Sequence, residues 1–285
     1  TNTMSSSLGI RQNELEDLEA IGSVASALFN VSAEKIKRLR AAFEKNKTFY
    51  DDIADLYQSI KQTAFERGEL PKKSATVVQT VTVAFTSNIR FYGVVNAEVI
   101  EAFIKHMRSG VKSDYIVIGR TGKTLMENAP DVQGRSSYYA FKEDEPDDEE
   151  RRQFLKNVAS YNQVQIFYPS FRNVFSQKVV MQDITYTPHT ETVPEQTLAF
   201  DYIFEPELPK ILNFFETKVR YLLFKRVMLE SELSRTAARL IPMNKAQDRS
   251  VEEIIRLRRA IRRKSTNFND LRLLESFSAI SKWKR

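Results

Sequence analysis

Apolar residues recur at steps of three and four at both ends of the chain, and in shorter runs between them. Leu15, Leu18, Ile21, Ala25 and Leu28 mark one face of an amphipathic helix, and the stripe resumes with Leu39, Phe43, Ile53, Leu56 and Ile60. This spacing predicts a helix over about residues 10–67, broken at Gly68, Leu70 and Pro71. Roughly fifty residues at about 1.5 Å each would make a rod on the order of 75 Å. A second long helical segment ends the chain. Its Ile254, Leu257, Ile261, Phe268 and Leu271 fall within a narrow arc when wound at about 100° per residue. Two such helices can bury their stripes only against each other or against a partner.

Between them the period changes. Residues 78–85 (VQTVTVAF) are rich in β-branched side chains and read as a strand. Asn96 is a plausible N-cap for a helix carrying Val99, Ile100, Phe103, Ile104 and Met107, ended by Gly110. Residues 115–118 form a short buried strand. Strand, helix and strand at this spacing predict a right-handed βαβ unit and a parallel sheet. A further helix near 147–160 and strands near 164–168 and 174–186 complete the region, and 187–196, with Pro188 and Pro194, reads as a loop. The fold class is therefore α/β. A Rossmann-like head (71–204) with a parallel sheet is carried by an antiparallel coiled coil of the N-terminal helix (1–70) and the C-terminal helix (205–285). Pro242 inside the second helix removes a backbone hydrogen bond and crowds the carbonyl of Ala238, which predicts a kink or widened turn over residues 238–245.

Composition narrows the chemistry. The 285 residues contain no cysteine, which excludes disulfides, thiol nucleophiles and thiolate metal sites. No apolar run is long enough to span a bilayer. The chain begins at Thr1 rather than methionine, which leaves a removed targeting peptide open. Gly119, Arg120, Thr121, Gly122, Lys123 and Thr124 look like half of a phosphate-binding loop, but the first glycine of that pattern would fall at Val117, so a strand-to-helix turn is the better reading. The run Glu143, Asp144, Glu145, Asp147, Asp148, Glu149, Glu150 diverges by about 100° per residue if helical and reads as the acidic start of a helix after Pro146. The histidines, His106 and His189, lie in separate elements with no motif nearby and read as surface residues. No catalytic, cofactor or metal residues emerge.

The net charge is +6, and the excess is unevenly placed. Arg256, Arg258, Arg259, Arg262 and Arg263 occupy the arc opposite the apolar stripe, with Lys264 at its edge and no acid from 254 to 269. Like-charge neighbours at three and four residues cost a few tenths of a kcal/mol each, about 1 kcal/mol in all. An acidic partner surface is the favoured explanation over a solvated face.

The motifs of the last helix resemble those of the γ subunit, the rotating central stalk, of F-type ATP synthases. That family carries a Glu-Ser pair, a Ser-Glu pair, an Ala-Ala-Arg-Met stretch, then Ala-Met and Ala. Here Glu230, Ser231, Ser234, Ala237, Ala238, Arg239, Met243 and Ala246 match. Upstream, Glu205-Pro206 matches the family's Glu-Pro. The family's SSDRGLCGGLN becomes TSNIRFYGVVN, keeping Ser87, Gly93 and Asn96, and its Ile-Gly-Arg is matched by Ile118, Gly119 and Arg120. Ala27, Val31, Ala33 and Lys35 fit the register of the first helix. The departures are Asn88-Ile89-Arg90 for Asp-Arg-Gly, and Pro242 for alanine. Arg262, Ser265, Thr266, Asn269 and Asp270 stand where the family has Asn, Arg-Gln and Ile-Thr, and the acidic Glu14, Glu16, Asp17 and Glu19 where it is mostly basic.

The resemblance implies a non-catalytic rotor of a proton-translocating F-type ATP synthase or a specialised rotary relative. Its partners would be the α and β subunits of the catalytic hexamer, an ε-type subunit and the membrane c-ring. Its place would be the cytoplasmic side in a bacterium or the matrix side of the mitochondrial inner membrane. Arg256, Arg259, Arg263, Leu273 and Phe277 become candidate hexamer contacts, with Leu274 and Ile280 turning in the same sleeve. A basic coiled-coil nucleic-acid-binding protein and a small P-loop kinase stand as rivals.

Overall fold

The computed structural model describes residues 2–66, 79–185 and 207–283. The breaks expected at Gly68, Leu70 and Pro71, the loop at 187–196, His189 and the Glu205-Pro206 pair lie outside them, as does the side chain of Ile280. The elements in order are α1 (Asn2–Glu66), β1 (Thr80–Phe85), α2 (Val95–Arg108), β2 (Asp114–Ile118), α3 (Arg120–Glu127), β3 (Ser137–Tyr139), α4 (Asp148–Asn157), β4 (Gln163–Asn173), β5 (Ser176–Asp183) and α5 (Leu208–Trp283). The chain divides into two compact units, residues 1–34 with 239–285 and residues 35–238.

Helix α1 buries a heptad seam. Ala25, Ser32, Leu39, Asn46 and Ile60 are buried at multiples of seven, with Ile53 half-buried between them. A seven-residue repeat keeps one face toward a partner helix when the two wind around each other. Ile21 and Leu56, expected in this stripe, are instead 55% and 48% exposed. Gly22 takes the inward place beside Ile21, where a Cβ would come 3.2 Å from the Cβ of Ser250. Close approach of two backbones demands small residues, so hydrophobicity alone misplaces the seam by one position.

In the unit of residues 1–34 and 239–285 the two helices run antiparallel. Gly22 meets Ser250 and Glu19 accepts a 2.7 Å hydrogen bond from Arg258, so rising numbers on one helix face falling numbers on the other. Ile254, Leu257, Ile261 and Phe268 line the seam half-buried, whereas Leu271 is exposed. Helix α5 continues through Pro242, which faces outward, with no interruption. The widened turn expected there is absent.

The unit of residues 35–238 is built on a five-stranded sheet of order β3-β2-β1-β4-β5. Strands β1 to β4 are mutually parallel and β5 returns antiparallel along β4. β1 is buried along nearly its whole length, as a central strand covered on both faces must be. One face carries Val81, Val83, Phe85, Ile166 and Tyr168 against α4 and α5, where Phe154 stacks on Phe224 at 5.0 Å. The other carries Ala84, Val117 and Phe167 against Val99, Phe103 and Met107 of α2. Tyr57, Ile60 and Ala64 of α1 pack on Leu208 and Leu212 of α5, again antiparallel. Every residue of α5 from Glu230 to Ala237 is buried.

Two short elements, α3 and β3, escaped the sequence reading because eight and three residues carry too little periodicity. Asn96 lies in the first turn of α2 rather than at its N-cap, which is Val94.

Candidate functional site

The carboxyl ends of β1 and β2 gather the head residues. Ser87 is fully buried; its hydroxyl donates to the carbonyl of Ile89 at 2.7 Å and accepts from Asn96 Nδ2 at 2.8 Å. Gly119 sits at φ 96°, where a Cβ would fall 2.7 Å from the carbonyl oxygen of Thr86. Only glycine fits there. The amides that open α3 are all engaged: Gly119 with the Tyr139 carbonyl, Arg120 with Asn88 Oδ1, Thr121 with the Ser87 carbonyl and Gly122 with Thr86 Oγ1. A phosphate cradle needs these donors free. The turn is structural, and Arg120 contributes its backbone to it.

The next turn, residues 86–94, leads back to α5. Gly93 has φ 61°, and a Cβ on it would lie 3.7 Å from the carbonyl of Ala238. Phe91 is also left-handed at φ 69°, and it projects with Ile89 and Val94 as an exposed apolar tip. Behind the tip lies a buried charge cluster. Arg235 is 0% exposed, with its guanidinium 4.9 Å from the ring centre of Phe85 and 5.9 Å from that of Tyr92. It donates a 2.5 Å hydrogen bond to Glu232, one turn earlier, which is 2% exposed. Lys35 of α1 donates to the same carboxylate at 2.5 Å and pairs with Glu145 at 2.7 Å. Asp144 accepts from the Asn88 amide and from the Tyr92 hydroxyl. Nε and Nη1 of Arg235 find no hydrogen-bond acceptor among the described residues and lie in the cluster with the two aromatic rings.

The electrostatics follow from this geometry. Burial alone would push the Glu232 carboxyl up, but Arg235 and Lys35 more than offset it and hold it below the usual range. Burial would likewise depress Arg235 and Lys35; Glu232 with Asp144, and Glu232 with Glu145, raise them instead. All stay ionised near neutrality. Here the chain departs from the resemblance, which places glutamate after Ser234 where Arg235 stands.

The other shaft residues join α5 to the sheet. Glu230 accepts from the hydroxyls of Tyr168 at 2.9 Å and Ser170 at 2.5 Å on β4. Burial and then Glu230 push the Tyr168 phenol upward. Ser231 and Ser234 are fully buried, and Ser234 donates weakly to the Ser170 carbonyl. Arg239 is buried and Met243 half-buried. The structure thus brings Glu230, Ser231 and Ser234 together with β4, and brings Ser87, Asn96, Gly119 and Arg120 together at the strand ends. Arg235, Glu232 and Asp144 were missed by sequence reasoning. Their one local signal was Glu232 and Arg235 at a three-residue spacing.

The acidic run proves to be two things. Asp147 caps α4, receiving the Glu150 amide at 2.8 Å while Glu150 returns to the Asp147 amide at 3.2 Å. Asp144 and Glu145, expected in the same solvated helix start, instead reach inward to the charge cluster and to Lys35 and Arg38. His106, expected at the surface, packs half-buried on Phe167 with ring centres 5.4 Å apart.

On the C-terminal part of α5, Arg256, Arg259 and Arg263 lie exposed along one face. Arg256 pairs with Glu253 at 2.6 Å, while Arg259 and Arg263 form no ion pair among the described residues. Arg258, grouped with them from the sequence, pairs instead with Glu19 of α1 at 2.7 Å, both side chains remaining exposed. Glu19 is one of the acids that stand where the resemblance has mostly basic residues, and here it pairs with a basic residue of α5. Leu273, Leu274 and Phe277 are all exposed.

The sequence profile of the family described as ATP synthase matches residues 10–265, which take in most of both long helices and the head between them. The chain belongs to the ATP synthase γ-chain family. Similar curated proteins include the ATP synthase gamma chain of Flavobacterium johnsoniae, 26% identical over 254 residues and covering 85% of this chain and 86% of that one. That of Desulfotalea psychrophila is 27% identical, with 82% and 84% covered. In fold the chain is similar to a chain of the Tetrahymena thermophila mitochondrial ATP synthase central stalk and c-ring structure. The TM-score is 0.59 at 19% identity, over 78% of this chain and 99% of that one. A chain of the Euglena gracilis mitochondrial enzyme gives 0.51 at 13%, over 90% and 94%. As a γ chain the protein is a non-catalytic subunit of an F-type ATP synthase, part of the peripheral portion of a membrane complex. No helix among the described residues is long and apolar enough to cross a membrane.

Proposed function

We propose that this chain is the central-stalk rotor of a proton-translocating F-type ATP synthase, turning within the α and β hexamer and resting on the c-ring and an ε-type subunit. The observation that carries this is the family match, which extends across both antiparallel helices and the head. The rotor makes and breaks no bonds. Its asymmetric surface contacts each catalytic subunit differently as it turns, and only such differential contact can shift a subunit between open and closed states. Its place is the cytoplasmic side of a bacterial membrane or the matrix side of the mitochondrial inner membrane.

The residues that touch the hexamer are Arg256, Arg259 and Arg263, with Leu273 and Phe277 toward the C-terminus. The three arginines span about 60° of the helix, opposite the packed seam. Exposed and largely unpaired, they complement acidic residues on the surrounding subunits, where a protein bore screens charge less than open water does. Reversing all three to glutamate in the assembled complex tests this. The head stays folded, and assembly or the coupling of ATP turnover to ion movement weakens. A triple variant that assembles, turns over ATP and couples like the parent would show the row to be a solvated face.

A further inference from the structure

The family match leaves one surface of the head without a role. Helices α4 and α5 pack through Phe154 and Phe224, and on their flank they leave a groove of about 600 Å³. Its floor is apolar, with Leu155 half-buried and Phe214 64% exposed. Its walls carry four cations, Arg152 and Lys156 from α4 and Lys218 and Arg220 from α5, against the single acid Glu216. Phe214 is an aromatic side chain that the fold leaves outside its own core. Arg220 Nε–H is buried yet has no acceptor among the described residues. That Nε–H is turned into the protein; the guanidinium contributes its positive charge to the groove wall, and a carboxylate is the group that matches its planar geometry.

We propose that this groove docks an acidic amphipathic helix from a neighbouring protein subunit. Its apolar face would lie on Phe214 and Leu155, and its carboxylates would meet the Arg152, Lys156 and Arg220 walls. A concave apolar trough between two helices is the shape that a third helix fills, with anchors at three- and four-residue spacing. A lipid surface would call for a projecting apolar face instead. The excess of three positive charges over the lining selects an acidic occupant and rejects a basic one.

Replacing Phe214 by a photo-reactive phenylalanine analogue in the full chain, within the purified complex, tests the proposal. Illumination followed by peptide sequencing should give one dominant cross-link, to an acidic helical segment of another subunit. The double reversal Arg152→Glu with Lys156→Glu, both exposed on α4, should reduce that cross-link at least tenfold at low salt, with the thermal melt of the chain unchanged. Raising the salt to about 0.5 M should weaken the parental cross-link in the same direction. A second variant, Arg220→Gln, removes the guanidinium and its charge while keeping a polar side chain, and should lower the yield while leaving the fold intact. Cross-linking to residues 186–206 of this chain, to lipid, to a neutral or basic segment, or to nothing overturns the proposal. So does an acidic-segment cross-link that is indifferent to both variants.

Discussion

Arg235 and Arg259 lie on one helix and could hardly be used more differently. Arg235 is wholly buried, held by Glu232 and lying over two aromatic rings, with Lys35 and Asp144 completing the neutralisation. Arg259 is exposed among other arginines and forms no ion pair among the described residues. The buried cluster joins α1, α5, the turn after β1 and the acidic segment before α4, so its energy is spent on holding the head in one arrangement. The exposed row makes one ion pair within the chain, Arg256 with Glu253, and its like charges slightly strain the helix that carries it. The same residue type is therefore a buried tie between segments in one place and an exposed charge in the other.

The largest effect should come from breaking the buried cluster on one side. Arg235→Ala leaves Glu232 and Asp144 charged and underpaired, and should cost about 3–5 kcal/mol of stability, read as a lower denaturant midpoint of the head. Adding Glu232→Leu should recover much of that loss, because an apolar pair does not carry the desolvation cost of a lone charge. A double variant as unstable as the two single losses summed would mean that the charges do not act as one cluster.

Gly119→Ala comes next. It combines a positive φ with a Cβ placed 2.7 Å from a backbone oxygen, and should destabilise the head by roughly 3 kcal/mol. Gly9→Ala, where a Cβ meets nothing within 4 Å, is the control and should be neutral or slightly stabilising.

The cluster should also make the stability of the head depend on pH. The Glu232 carboxyl is lowered in the folded chain, so its contribution is present above the unfolded value near ~4.3 and lost as pH falls through the folded value. Lys35 is raised, so its contribution is present below ~10.4 and lost as pH climbs through its folded value. Denaturant midpoints should therefore fall in acid, starting below pH about 4, and Glu232→Gln should flatten that limb. Asp148, lowered to about 2 by hydrogen bonds from Tyr221 and Arg151, falls in the same direction, but its exposure makes the part small. An acid limb unchanged in Glu232→Gln would assign the effect elsewhere.

The smallest effect belongs to the exposed pair. Glu19→Gln should cost about 0.2–1 kcal/mol by removing the contact with Arg258, and 0.5 M salt should erase most of the difference.

Much of this architecture is legible in the chain itself. The three-and-four spacing of the terminal segments, the β-branched run before Phe85 and the strand-helix-strand order determined two long helices and a parallel sheet. Local periodicity reports which face of an element is apolar, and long elements repeat that report many times. The motif from Glu230 to Met243, with Gly119 and Asn96, determined the family. What only the tertiary structure decided is where opposite charges meet. Lys35 and Glu232 are separated by 197 positions, and Asp144 lies on a loop with no period of its own. The exposed stretch Arg256 to Arg263 and the buried Arg235 look alike as letters, because a charge carries no mark of its burial until three other segments close over it. The seam position at Gly22 was hidden for a related reason. Where backbones approach most closely the inward residue is chosen for size, and a scale of hydrophobicity does not see size.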